Sequence, residues 1–350
     1  MPTSNKTLVY KKTPTAYPVA GEHLVIEDRP IDLDAPAPAG GLVVKVLYAS
    51  FDPYLRGRMR DPSVKSYSPP FNLNDPILND TLGKVLKSDH DNFKEGDLVV
   101  AFGAIAEYSV IPNSFAPRVR KIHNPHNLDL AYFLGPLGMP GLTAFSSFYK
   151  IGQPKRGETI FISSAAGAVG QIVGQLAKHE GLRVIGSVGS DEKLEFLTKE
   201  LGFDGGFNYK KEKPADALKR LAPDGIDINF ENVGGDHLEA ALAAMNLHGR
   251  VIFCGLISDY NKPPEEKYGV KGIFHFIAKR LKAEGFLVGD PEFGPAHAKD
   301  HQQKVQAWLA DGTFKTKIHV TDGIDRAAEG LIGIFKGENF GKAVLKVAEA

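Results

Sequence analysis

Residues 158–193 read ETIFISSAAGAVGQIVGQLAKHEGLRVIGSVGSDEK, and this stretch decides the fold. ETIFIS is a short apolar, β-branched run that reads as a buried strand. Ala165-Ala166-Gly167-Ala168-Val169-Gly170 follows directly, and Val169, Ile172, Val173, Leu176 and Ala177 then recur at the spacing of one helical face. Gly181 stops the helix and RVIGSV is the next strand. SDEKLEFLTKEL opens a second helix, with Ser190 as its N-cap and acids in its first turn.

Outward toward the C-terminus the same rhythm continues. IDINFE, RVIFCG and EGFLV supply further strands, separated by helical segments such as HLEAALAAMNL. Strands alternating with helices imply a parallel sheet with right-handed crossovers, here a doubly wound nucleotide-binding domain over residues 136–312. Toward the N-terminus the pattern differs. LVYKK, HLVIED, GLVVKVLYAS, LGKVLK and GDLVVAF are short strands broken by turn residues, spaced as in a barrel or sandwich. Asp61 to Asp80, with Pro62, Pro69, Pro70 and Pro76, reads as a long surface loop. In the tail, IDRAAEGLIGIFKG reads as a helix and GKAVLKV as a strand that returns to the first domain.

The bulk numbers narrow the chemistry. A chain of 350 residues suggests about two domains. Basic and acidic side chains balance at 42 each, so there is no electrostatic footprint for nucleic acid or an anionic membrane. No stretch reaches the ~20 apolar residues of a bilayer span, and the N-terminus lacks the apolar run of a secretory signal. One cysteine, Cys254, excludes an internal disulfide and cysteine-rich zinc sites, and fits a reducing, cytoplasmic setting.

Residues 165–170 form a G-x-G-x-x-G pattern with alanine at its first position. In such a turn Gly167 admits the backbone to a pyrophosphate, Gly170 brings the helix close to the strand, and helix N–H groups face the phosphates. An NAD site carries an acid about 20 residues on, at the end of the second strand. Here Gly186-Ser187-Val188-Gly189-Ser190 holds none, Asp191 falls in the next helix, and Lys193 lies one turn in. A missing acid and an available lysine point to NADP. His297 and His301 share a helix face at a metal-compatible spacing, and His123 and His126 form a second pair; both read more simply as exposed histidines. Without a zinc Lewis acid to ionise an alcohol, hydride chemistry falls on an already activated double bond. That reaction needs a donor where charge develops on the carbonyl oxygen, a task for a tyrosine hydroxyl. Of 11 tyrosines, Tyr54 follows a strand and Tyr260 lies in the loop after RVIFCG, at the carboxyl end of a parallel strand.

DPYLRGRM (52–59), LGMPGLTA (137–144), AAGAVG (165–170), GSDEK (189–193), FNYK (207–210), ENVGG (231–235) and CGLISDYN (254–261) occur in order along nearly the whole chain. Together they resemble the medium-chain dehydrogenase/reductase superfamily. Within it, the chain is similar to the zinc-independent branch of leukotriene hydroxydehydrogenases, prostaglandin reductases and NADP-dependent alkenal double-bond reductases. The resemblance implies a GroES-like domain over residues 1–135, a Rossmann domain over 136–312, and a segment 313–350 that completes the first domain. It implies NADPH/NADP+ in the cleft, no zinc, and a homodimer. Gly167, Ala168, Val169 and Gly170 would hold the pyrophosphate, and Gly189, Lys193 and Tyr209 the 2′-phosphate end. Asn232, Cys254, Gly255, Ser258 and Tyr260 would flank the nicotinamide ribose. Phe286, Leu287 and Val288 would line the nicotinamide, Asn339 would close the site, and Tyr54 and Tyr260 match the tyrosines beside the substrate carbonyl.

The expected activity is therefore NADPH-dependent reduction of the C=C bond of small α,β-unsaturated aldehydes and ketones, with hydride delivered to the β-carbon. Two other readings share the cofactor site: an NADPH quinone reductase, and an enoyl-reducing subunit acting in trans in a biosynthetic complex.

Overall fold

The strands begun by the 158–193 stretch join one six-stranded sheet in the computed structural model, which describes residues 2–349. Their order across the sheet is Gly205–Asn208, Arg183–Val188, Thr159–Ile162, Ile226–Glu231, Met245–Phe253, Lys282–Gly285, and every neighbouring pair is parallel. The chain winds outward in one direction from Thr159–Ile162 and in the other from Ile226–Glu231. The carboxyl ends of those two strands therefore mark the switch point, where a doubly wound sheet opens a ligand crevice. The helix Gly170–His179 buries Ile172, Val173, Leu176 and Ala177, the face its periodicity defines. Phe161, Ile185, Phe207, Ile226, Leu238 and Val251 form one buried cluster, each side chain contributing about 1.5–3 kcal/mol on burial.

Two elements depart from the sequence reading. The strand expected in EGFLV spans Lys282–Gly285 and ends before Phe286, because its neighbour ends at Phe253, opposite Gly285, and offers no further ladder. Phe286, Leu287 and Val288 thus belong to the loop past that strand. The helical segment HLEAALAAMNL stops at Ala244, and Met245, Asn246 and Leu247 begin the next strand. Met245 is buried and pairs with Ile226, so a tertiary ladder overrides local helix propensity.

The other unit is β-rich. Its seven-stranded sheet places Ile318–Asp322, Lys342–Lys346, Leu42–Ser50, Leu78–Ser88, Leu98–Ala104 and Arg120–Lys121 in that order, with Tyr108–Ile111 also paired to Leu42–Ser50. Val344 to Lys346 run antiparallel to Ser50 to Tyr48, so the last strand of the chain pairs with one of its earliest. A separate hairpin-like pair joins Lys6–Tyr10 and Leu24–Asp28. The expected loop 61–80 ends shortly after its last proline, Pro76, since Leu78, Asn79 and Asp80 already belong to a strand. Three arginines order this region by donating to main-chain carbonyls: Arg56 to Pro14 and Ala16, Arg58 to Pro69 and Leu78, Arg60 to Gly57, Val64 and Ser68. By contacts, this unit takes the chain up to Leu134, Ile318–Asn339 and the chain from Ala343 onward; the parallel-sheet unit takes Gly135–Lys317 and Phe340–Lys342.

Candidate active site

The glycine turn has the geometry its pattern demands. Gly167 N–H donates to Ser164 and Gln171 N–H to Gly167, closing the turn onto the helix. A Cβ at Gly170 would lie 2.5 Å from the Ser164 carbonyl oxygen and 2.8 Å from the Ala165 Cα, so only glycine fits. Gly167, Ala168 and Val169 are partly exposed at this edge, beside the first N–H groups of the Gly170–His179 helix. Those groups lack intrahelical acceptors and suit an anion.

Past the second strand, Ser190 caps the Asp191–Glu195 helix by accepting from the Lys193 N–H at 3.3 Å. Asp191 accepts from Asn208 Nδ2 at 2.9 Å and pairs with Lys211, so this acid is already engaged by its own surroundings. Lys193 is half-buried, and its ammonium titrates below the ordinary lysine range, first because of burial and then because Lys210 stands nearby. Lys193 and Lys210 thus stand close enough to feel one another's charge, with Glu192 partly offsetting it, an arrangement that suits a dianion. The Tyr209 phenol lies over Gly189, where a Cβ would meet its hydroxyl at 2.9 Å, and its ring meets His237 edge-on at 5.3 Å. Lys210 was not singled out from sequence. Its position next to Tyr209 in FNYK was the available signal, but one lysine among many has no distinguishing pattern.

At the switch point a fully buried carboxylate, Glu231, gathers four donors. Its Oε1 accepts from Ser163 Oγ at 2.7 Å, Val233 N–H at 2.8 Å and Gly234 N–H at 2.9 Å, and its Oε2 from Asn229 Nδ2 at 3.1 Å. Asn232 donates from its N–H to Ser163 Oγ and from Nδ2 to the Ser163 carbonyl, both at 2.8 Å. Gly234 and Gly235 follow with φ of 79° and 58°, backbone that a side chain resists. The loop after the next strand is laced to this turn. Cys254 and Gly255 donate to the Glu231 carbonyl, Ile257 to Asn232 and Ser258 to Val233, at 3.0–3.1 Å. The Cys254 thiol is pushed up to about 12, by burial and then by the charge of Glu231, which makes it an inert packing group.

Tyr260 closes this loop. Its hydroxyl accepts from the Leu256 N–H at 3.2 Å and lies 3.0 Å from where a Gly255 Cβ would stand. Ser258 Oγ is buried with no hydrogen-bond partner among the described residues, close above Gly234 and Gly235. A buried hydroxyl left without a partner is costly. A sugar hydroxyl or phosphate oxygen of a bound dinucleotide would satisfy it, so the residues present fit such a group. Phe286 packs on Phe293 at 5.0 Å and Leu287 is exposed.

Tyr54 and Asn339 belong to the β-rich unit. Tyr54 is largely buried and its hydroxyl donates to Asn79 Oδ1 at 2.7 Å. Asn79 Nδ2 in turn donates to the Ser50 carbonyl at 2.7 Å and to Asp52 Oδ2 at 2.9 Å. Burial, then Asp52 and Asp80, hold the phenol far above the ordinary tyrosine range. His301 is buried and its Nε2 donates to the Pro136 carbonyl at 2.8 Å, a packing role in place of the exposed position expected for it. No group of three His, Cys, Asp or Glu side chains suited to a metal occurs among the described residues.

Comparison with known proteins agrees with this architecture. Residues 6–119 match the family model described as the N-terminal domain of oxidoreductase, and 168–301 that described as zinc-binding dehydrogenase. An NADP-dependent oxidoreductase, RED1, of Cochliobolus heterostrophus is 52% identical, the alignment covering 99% of this chain and 98% of that one. The NADP(+)-dependent 2-alkenal reductase of Nicotiana tabacum is 43% identical, again over 99% of this chain and 98% of the relative. This chain belongs to the zinc-independent medium-chain dehydrogenase/reductase family. Among solved structures, CurA of Vibrio vulnificus in complex with NADPH superposes on the oxidoreductase with a TM-score of 0.89 at 33% identity, covering 99% of this chain and all of that one. The oxidoreductase has no helix long and apolar enough to cross a membrane among its described residues.

Proposed function

We propose that this oxidoreductase reduces the carbon–carbon double bond of 2-alkenals and 2-alkenones with NADPH. The observation that carries the reading is Tyr260, whose hydroxyl accepts the Leu256 N–H beside Gly255 in the loop after a parallel strand. That accepted bond polarises the O–H toward donation. The relatives named as an NADP-dependent oxidoreductase and a 2-alkenal reductase support the same reading.

NADPH, when bound, supplies hydride to the β-carbon. Tyr260 donates to the carbonyl oxygen as enolate charge develops there, the role in which a fixed donor gains most. Gly167, Ala168, Val169 and Gly170 hold the pyrophosphate, while Lys193, Tyr209 and Gly189, with Lys210 added, hold the 2′-phosphate. Asn232, Cys254, Gly255 and Ser258 flank the nicotinamide ribose; Phe286, Leu287, Val288 and Asn339 complete the nicotinamide end. Tyr54 donates its O–H to Asn79 and would have to turn that O–H from Asn79 to serve the substrate carbonyl. We further propose a homodimer in the cytoplasm. The single cysteine supports the compartment. The exposed edge strand Lys282–Gly285, with exposed Ile273, Phe274 and Ile277, supports the dimer.

The test is loss of NADPH absorbance with purified protein against 2-alkenals, 2-alkenones, quinones and secondary alcohols, with NADH in parallel. Fast oxidation with enals and enones, NADPH ahead of NADH, is the expected result. Activity with quinones alone would overturn the named reaction. Tight NADPH binding without activity on any free acceptor would replace it with a subunit acting in trans.

A further inference from the structure

We propose that Glu231 is a positioning residue for Tyr260, acting through the main chain of two loops. This inference rests on the assignment of Tyr260 as the carbonyl donor. A fully buried carboxylate is costly unless donors surround it, and Glu231 has four. Two of them, Val233 N–H and Gly234 N–H, belong to the turn that Glu231 itself begins, so the side chain bends its own backbone back over the strand end. A third, Ser163 Oγ, comes from the end of the neighbouring strand across the switch point, and the same oxygen accepts from Asn232 N–H. The turn is thereby held to the sheet at both edges.

The carbonyls of this turn then carry the order outward. Those of Glu231, Asn232 and Val233 accept from Cys254, Gly255, Ile257 and Ser258, which sets the path of the loop as far as Leu256. Leu256 N–H donates to the Tyr260 hydroxyl, and a Cβ at Gly255 would lie 3.0 Å from that hydroxyl and 3.4 Å from the Asn232 carbonyl oxygen, so Gly255 separates the two. A glutamine at 231 keeps an acceptor for Ser163, Val233 and Gly234, and Asn229 can turn its otherwise unpartnered Oδ1 toward the new amide nitrogen, but the bonds to the turn lose the charge of the carboxylate that strengthens them. The turn is then held less tightly, and the loop that carries Tyr260 is loosened with it.

The test measures turnover of 2-hexenal at saturating NADPH for Glu231→Gln, Tyr260→Phe and the double variant. Binding of 2′,5′-ADP and the emission of bound NADPH are followed alongside. A misplaced catalytic hydroxyl costs on the order of tenfold to a hundredfold in kcat, so Glu231→Gln should lose that much while 2′,5′-ADP affinity stays unchanged. The double variant should be no slower than Tyr260→Phe, within about twofold, because residues acting as a unit are non-additive. Should Glu231→Gln fail to fold, Ser163→Ala removes one donor to Glu231 together with the acceptor of the Asn232 N–H, leaves the other three donors, and should show a loss with the same non-additivity. Full turnover in both single-site changes at 231 and 163, or losses that multiply completely with that of Tyr260→Phe, would overturn the proposal. Wild-type turnover in Tyr260→Phe would instead remove the underlying role of Tyr260, an outcome distinct from either.

Discussion

Replacing Lys193 with alanine should abolish much of the preference for NADPH while sparing NADH. Lys193 is half-buried beside Lys210, and Asp191, the nearest acid in sequence order that an NAD site would use, is engaged by Asn208 and Lys211. A charge-assisted bond to a phosphate contributes about 1.5–3 kcal/mol, which converts to roughly 10- to 150-fold in Kd. Lys210 remains in the variant and supplies part of the field, so the lower half of that range is expected. Fluorescence titration with both cofactors measures the effect directly, and kcat/KM with each confirms it. The pH dependence has a definite sign. Burial and Lys210 depress the Lys193 ammonium, so its charge is lost as pH rises through a value below the ordinary 10.5 of lysine. Discrimination between NADPH and NADH should therefore fall toward alkaline pH. Lys193→Arg, charged throughout, should hold it. Equal weakening of both cofactors in Lys193→Ala, or an NADPH affinity within about twofold of wild type, would refute the reasoning.

Tyr260→Phe should lower kcat by about 10²–10³, the usual loss for one oxyanion donor, with NADPH affinity unchanged in titration. Gly170→Ala places a Cβ 2.5 Å from the Ser164 carbonyl oxygen; NADPH binding should be lost and the melting temperature lowered, both read on the purified variant. Asn79→Ala removes the acceptor of the Tyr54 hydroxyl and one of the donors to Asp52, which keeps Ser50 Oγ, and should cost about 1–3 kcal/mol in all. Urea titration checks this. Ile277→Glu puts a charge at a position 73% exposed beside Phe274 and Ile273; on the proposed homodimer it should shift sedimentation toward the monomer, whereas a wild-type protein that already sediments as a monomer would overturn that proposal.

Local chemistry wrote much of this protein into its sequence. The glycine turn was legible because only a residue without Cβ tolerates the 2.5 Å approach at Gly170, and such a requirement leaves its mark residue by residue. The Ser190 cap was legible because an N-cap hydroxyl bonds within three residues of itself. The α/β class followed from periodicity, since burial on one helix face or both strand faces repeats at a fixed interval. Sequence reading failed where the deciding partner is distant along the chain. Met245 left its helix for a strand because Ile226 pairs with it. Phe286 left its strand because the neighbouring strand had already ended at Phe253. Glu231 reads as one more acid at a strand end until the sheet brings Ser163, 68 residues earlier, within 2.7 Å of it. Lys193 and Lys210 become one electrostatic site only when the strand order sets their helix and loop together. Backbone sterics and periodic burial act between near neighbours and are therefore written in the sequence; desolvated charge and ladder pairing act between segments that only the folded sheet brings together.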